Sequence, residues 1–239
     1  AIFLTSSFRF DSAEQAAKRF DDKDQGNIYS RFTNPSVDAF QNKLAALEGA
    51  EQCLATASGM SAIFATIMTL LKPGEHMVAS RGMFGTTIVL LNTVIQKFSI
   101  EVTFVDLPDL DDWKNSVQTN TKLFMLETPS NPLGEVVDLR ALSAISKKNN
   151  IILAVDNCIL TPALQKPLAL GADLVIHSAT KYIDGQGRCL AGAIAGNNKL
   201  IDEISSFARS TGPTLSAFNA WIVFKGLETL SLRMQAHCE

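Results

Sequence analysis

Paired cysteines are missing from this chain. Its four cysteines, Cys53, Cys158, Cys189 and Cys238, stand far apart with no CxxC spacing, and its three histidines form no cluster. That argues against a zinc site or a disulfide framework and leaves reduced thiols, as in a cytoplasmic protein. No apolar run approaches the roughly eighteen residues of a membrane span. The opening Ala1-Ile2-Phe3-Leu4-Thr5 lacks the basic segment and long apolar stretch of a signal peptide. An initiating Met is absent as well, which leads to the expectation of a fragment. Excess charge is lacking too: 21 Lys and Arg against 24 Asp and Glu leave a formal net charge of −3. Neither nucleic acid nor an anionic membrane is therefore expected as a partner, and any bound anion must be held by local groups. The GxxxxGK[ST] phosphate loop and the GxSxG elbow are absent. Gly185-Gln186-Gly187-Arg188-Cys189-Leu190-Ala191 imitates a dinucleotide loop, but it follows no first strand, lacks the final glycine spacing and precedes a predicted strand. A nucleotide-binding α/β domain fails on these absences.

What is present is an ordinary globular composition, 46% hydrophobic and 19% charged over 239 residues, enough for one large domain or a domain plus part of another. Residues 1–33 show little periodicity and are polar around Asp21-Asp22-Lys23-Asp24-Gln25-Gly26, which predicts an extended arm. Asn34-Pro35 supplies a cap and a first-turn proline for a helix that carries Val37, Phe40, Leu44 and Leu47 and closes at Gly49. A second helix is expected over 61–71, ahead of Pro73-Gly74. Strands are expected at 76–80, 101–105, 122–127, 151–156, 173–177 and 190–195, with helices at 86–97, 110–117, 139–149 and from 199 onward. Strands apolar on both faces and separated by helices predict an α/β architecture with a mostly parallel sheet flanked by helices. Ligands of such sheets sit beyond the carboxyl ends of the strands, where Glu127, Asp156 and residues 178–181 would fall.

Lys181 and Asp156 are the most suggestive pair. A lysine amine forms a Schiff base with an aldehyde cofactor, and a carboxylate holds the proton of a pyridinium ring. Taken singly, each is also explained as a surface lysine and a turn-capping aspartate. Ser58-Gly59-Met60-Ser61 lies where a loop enters the second helix, whose N-terminal amides and dipole suit a phosphate. Tyr29 and Arg31, two residues apart, share a face if their segment is extended, and both can then reach a phosphate.

The ordered series Tyr29-Ser30-Arg31, Ser58-Gly59-Met60, Phe84-Gly85-Thr86-Thr87, Glu127-Thr128-Pro129-Ser130-Asn131-Pro132, Asp156-Asn157 and Ser178-Ala179-Thr180-Lys181 resembles the pyridoxal phosphate (PLP) enzymes of cysteine and methionine metabolism. The resemblance runs over nearly the whole chain. It implies the large domain of a fold type I, aspartate aminotransferase-like PLP-dependent transferase over 34–225. Residues 1–33 would then be an arm reaching a neighbouring subunit, and 226–239 the start of a truncated C-terminal domain. It also implies that Lys181 holds the cofactor and shuttles protons, and that Asp156 pairs with the ring nitrogen. Gly59 and Met60 amides, with Ser58 at the helix entry and the Ser178 and Thr180 hydroxyls, would hold the phosphate. Tyr29 and Arg31 would reach the phosphate of a neighbouring subunit, while Glu127 and Asn131 line the ring.

Phe84 replaces a tyrosine common in the family, so the stacking face is kept and the hydroxyl is lost. Thr86 stands where methionine γ-lyases carry a reactive cysteine. With Gly185-Gln186-Gly187-Arg188, these features look most like the O-succinylhomoserine sulfhydrylase branch. The implied reaction exchanges the succinyl ester of O-succinylhomoserine for sulfide, giving homocysteine and succinate in methionine biosynthesis, in a homotetramer built as a dimer of dimers. Cystathionine γ-synthase or γ-lyase activity is the alternative within the family, and a non-catalytic PLP-binding module is the alternative outside it. The family's substrate-carboxylate arginine has no match after Arg188, since Arg209 and Arg233 fall in helical contexts. The chain is therefore expected to end near the start of the smaller domain and to be inactive alone.

Overall fold

The structure, a computed structural model, describes residues 1–21 and 23–239. Asp22, within the polar stretch of the arm, lies outside the described residues. The arm is not wholly extended as expected, because α1 (Ala13–Phe20) forms inside it with Ser12 as cap, the Ser12 hydroxyl accepting the Gln15 N–H. The good helix formers of Ala-Glu-Gln-Ala-Ala-Lys-Arg outweigh the missing apolar stripe. α1 buries none of its residues. α2 (Pro35–Glu48) starts at the Asn34 cap, whose side chain accepts the Ser36 N–H, and ends at Gly49 with φ 73°.

A strand that periodicity misses comes next, β1 (Gln52–Thr56). It is followed by α3 (Gly59–Leu70), β2 (His76–Ser80), α4 (Gly85–Val89), β3 (Glu101–Val105), α5 (Leu110–Asn115), β4 (Thr121–Glu127) and α6 (Leu139–Lys148). Then follow β5 (Ile152–Asp156), α7 (Thr161–Leu164), β6 (Leu174–His177), β7 (Gly192–Gly196), α8 (Asn198–Thr211), α9 (Ala217–Glu228) and α10 (Leu230–Cys238). The single helix expected over 86–97 is broken: α4 gives way to a π turn at Leu90–Val94 and a 3₁₀ turn at Ile95–Phe98. β-Branched residues crowd this stretch, and the Thr93 hydroxyl donates to the Val89 carbonyl at 2.7 Å, competing with the regular ladder.

The strands form one sheet in the order β1-β7-β6-β5-β4-β2-β3. β7 runs antiparallel to both neighbours, while every other adjacent pair is parallel. Helices cover both faces, as alternation along β4 makes plain. Leu123 and Met125 pack with Ile63, Ile67 and Ile201 of α3 and α8. Phe124 and Leu126 pack on the opposite side with Trp113 of α5 and Leu139 and Leu142 of α6. Each such buried side chain contributes about 1.5–3 kcal/mol of apolar transfer. A third cluster joins Phe40 and Leu44 of α2 to Val223 of α9 and to Leu230 and Met234 of α10. Arg233 ties α10 down further, its guanidinium donating to the carbonyls of Tyr182, Ile183 and Gly226. All four cysteines are free thiols, and among the described residues no helix is long and apolar enough to cross a membrane.

Candidate active site

Because all strands but β7 point the same way, one edge of the sheet collects their carboxyl ends. Ten of the twelve candidate residues line a single cavity of about 240 Å³ at that edge: Ser58, Gly59, Met60, Phe84, Glu127, Asn131, Asp156, Ser178, Thr180 and Lys181. They follow or end five different strands. Residues 58–60 come after β1, Phe84 after β2, Glu127 and Asp156 close β4 and β5, and residues 178–181 come after β6.

One end of the cavity is built by backbone. Ser58 caps α3 in a reciprocal capping box with Ser61, its hydroxyl accepting the Ser61 N–H at 3.1 Å while Ser61 Oγ accepts the Ser58 N–H at 3.0 Å. The Gly59 and Met60 amides occupy first-turn positions that have no intrahelical acceptor. A Cβ placed on Gly59 would come within 2.7 Å of Ser178 Cβ and 3.1 Å of its hydroxyl oxygen, so only glycine lets the two loops touch. A Cβ on Gly192 would meet the Ser58 carbonyl oxygen at 2.1 Å. Two first-turn amides, a helix dipole and an adjacent serine hydroxyl are the donor set of a phosphate site. The Thr180 hydroxyl is already engaged, exchanging hydrogen bonds with the Ala191 carbonyl at 3.2 Å and N–H at 3.1 Å. Lys181 is exposed at the turn leaving β6, its N–H donating to the Ser178 carbonyl at 3.2 Å.

Acids form the opposite wall. Glu127 and Asp156 are direct partners in the β4–β5 register. Burial, and then the neighbouring Asp156, push the Glu127 carboxyl up to about 7, against the Phe84 N–H that it accepts at 2.7 Å. Burial also raises Asp156, partly offset by the Cys158 N–H it accepts at 3.0 Å and by His177. Both carboxyls are raised, and each charge disfavours the other, so a single negative charge on the pair is favoured over two.

Tyr29 and Arg31 lie elsewhere. Their segment is a turn and not extended, since the Phe32 and Thr33 N–H groups both donate to the Tyr29 carbonyl, at 2.8 and 3.1 Å. The Arg31 guanidinium sits 5.6 Å from the Tyr29 ring and 4.7 Å from the Phe32 ring, and donates to the Arg209 carbonyl. Arg31 lines a separate cavity of about 580 Å³ with Asp202 and Arg209. Sequence reasoning passed over Ile63, Thr87, Cys158 and Leu190, which complete the first cavity. Of these, Cys158 was accessible, standing two residues beyond Asp156; burial and both acids push its thiol well up.

Residues 1–239 match the family model of the Cys/Met metabolism PLP-dependent enzymes, to which the chain belongs. Pyridoxal phosphate is that family's cofactor. Among its relatives is the O-succinylhomoserine sulfhydrylase of Pseudomonas aeruginosa, 55% identical over 237 residues, with 99% of this chain and 59% of that protein covered. An L-methionine gamma-lyase of Fusobacterium nucleatum is 45% identical over 241 residues, covering 100% of this chain and 61% of that protein. The chain thus spans about three fifths of the length of these relatives. A Campylobacter jejuni structure described as an O-acetylhomoserine (thiol)-lyase, which carries N'-pyridoxyl-lysine-5'-monophosphate, superposes with a TM-score of 0.93 at 31% identity, covering 99% of this chain and 67% of that one.

Proposed function

We propose that the full-length protein carries out γ-replacement on O-succinylhomoserine with sulfide, releasing homocysteine and succinate. The observation that carries this reading is Phe84 in the wall of the cavity that Lys181 also lines, an aromatic ring without the family's usual hydroxyl. When bound, pyridoxal phosphate supplies an electron sink for carbanions beside the substrate amine. The chain's own groups do the rest. Lys181 Nζ would hold the cofactor's aldehyde carbon, and its free amine would take the substrate's Cα proton and then assist proton removal at Cβ, so that the γ-ester can leave. Asp156 Oδ would accept from the protonated ring nitrogen. Glu127, its carboxyl pushed up to about 7, would add less than a full negative charge beside Asp156. Gly59 and Met60 N–H groups and the Ser178 hydroxyl hold the phosphate, with Ser58 and Thr180 fixing the loops around it. Asn131 borders the ring.

Tyr29 and Arg31 serve the phosphate of a second copy, in a dimer that pairs again into a tetramer. Residues 34–225 form the cofactor domain, 1–33 the exchanging arm and 226–239 the lead into the second domain. The test is turnover by the full-length protein in the cytoplasmic pH range. Homocysteine release that depends on sulfide supports the reading. Preference for cysteine as nucleophile points to a cystathionine synthase, elimination without any nucleophile to a γ-lyase, and no turnover with cofactor bound to a non-catalytic module. Lys181→Ala should lower turnover by on the order of 10⁴-fold. Borohydride should also no longer attach cofactor to the chain, and continued attachment at another lysine sinks the assignment.

A further inference from the structure

The residue beside each of three site positions turns to the other side of the sheet edge. Thr128 follows Glu127, Asn157 follows Asp156 and His177 precedes Ser178, and all three are buried. A chain of polar contacts joins them. His177 Nε2 lies 2.6 Å from Glu48 Oε1, and Asn157 Nδ2 donates to the same oxygen at 3.4 Å. Gln165 Nε2 donates to Asn157 Oδ1 at 3.0 Å and to the Thr128 carbonyl at 3.2 Å. The Asn157 N–H donates to the Ile176 carbonyl at 2.9 Å, locking β5 to β6 at this level.

Stability alone explains this arrangement poorly. Glu48 ends α2, where the helix dipole disfavours a carboxylate, and both side chains are fully buried. Burying a carboxyl and an imidazole together costs desolvation that apolar residues of equal size avoid. Glu48 Oε2 and His177 Nδ1 also make no hydrogen bond, so the network is not self-satisfying. Its reach to the site is electrostatic as well as mechanical, since His177 is one of the groups that pull the Asp156 carboxyl back down against its burial.

We propose that Glu48 and His177 are positioning residues for Asp156: the buried pair, with Asn157, holds the Asp156 carboxylate where it meets the ring nitrogen of the cofactor. This rests on the reading of Asp156 given above. The pair touches neither cofactor nor substrate and acts only through Asp156.

The experiment measures the affinity of full-length protein for pyridoxal phosphate and for its 1-deaza analogue, which keeps the aldehyde and phosphate but has no ring nitrogen. Asp156→Asn should weaken pyridoxal phosphate binding and leave the analogue unchanged. Glu48→Gln, which keeps the side chain's shape, should reproduce that selectivity with a loss of roughly tenfold for pyridoxal phosphate, the factor that accompanies one pKa unit. Equal losses for both ligands in Glu48→Gln, or no loss for either, overturn the proposal while the Asp156 reading stands. Equal losses in Asp156→Asn remove the Asp156 reading and the pair's role with it. If Glu48→Gln alone fails to fold because His177 loses its buried carboxyl partner, the double variant Glu48→Gln/His177→Gln replaces both groups and should show the same selectivity. Unfolding of both variants makes the pair a folding element and overturns the proposal.

Discussion

Two parts of this molecule carry expected phosphate contacts, and they are built in opposite ways. Around Ser58, Gly59 and Ser178, loops anchored on sheet and helix are pressed together until no side chain fits between them. Around Tyr29 and Arg31, contacts belong to a turn on an arm in which none of the described residues 1–33 is fully buried. The first region holds its geometry by core packing, whereas the second must borrow order from whatever it docks against. If the arm completes the phosphate site of a second copy, the permanent half lies on the sheet and the conditional half on the arm.

The comparison can be broken most readily at Arg31. If the arm serves a second copy, Arg31→Ala should weaken cofactor binding about 10–100-fold, the worth of a hydrogen bond to a charged group. The loss should shrink as protein concentration rises and assembly is driven, and a titration at two protein concentrations tests this. A loss independent of concentration returns the arm to its own subunit. Next in size is Gly59→Ala, expected to cost about 1–3 kcal/mol through overpacking against Ser178. Thermal melting should show it, while Gly85→Ala, where an added Cβ meets nothing within 4 Å, stays within about 0.5 kcal/mol.

Glu127 sharpens the comparison through pH. Its carboxyl titrates near 7 in the fold against an ordinary value of 4.5, so in that window the folded protein binds more protons than the unfolded one. The stability it contributes is present at low pH and is lost as pH rises through about 7. Glu127→Gln should flatten the decline of the cofactor-free protein between those values by at most about 1.4 kcal/mol per pH unit. An unchanged slope refutes the shift. The smallest effect belongs to the arm: Ser12→Ala removes the α1 cap at a local cost of about 1 kcal/mol. Amide exchange in α1 should quicken while the melting temperature of the core stays put.

What the sequence made legible followed from local signals. The Asn34-Pro35 start and Gly49 stop of α2 are side-chain and φ requirements, readable without any partner. The apolar runs of β4, β5 and β6 mark strands covered on both faces. β1 escaped because Gln52-Cys53-Leu54-Ala55-Thr56 is a short edge strand of mixed character, defined by pairing with β7 about 140 residues away. The direction of β7 escaped for the same reason. Asp156 and Lys181 were readable as chemical types after strands, whereas the Glu48–His177 contact spans 129 positions and leaves no local trace. Tyr29 and Arg31 were read as extended because nothing in Tyr-Ser-Arg announces a turn whose carbonyl accepts two amides.

The glycine contacts at Gly59 and Gly192 set where this scaffold can diversify. Gly59 sits against Ser178, and Gly192, the first residue of β7, sits against the Ser58 carbonyl, so neither glycine can take a side chain without shifting a loop or a strand. At the opposite end, Phe84 and Leu190 are 47% and 62% exposed, and their side chains are free to grow, shrink or change polarity. Room for side-chain change at this cavity is thereby left to Phe84 and Leu190, while the glycine contacts beneath stay fixed.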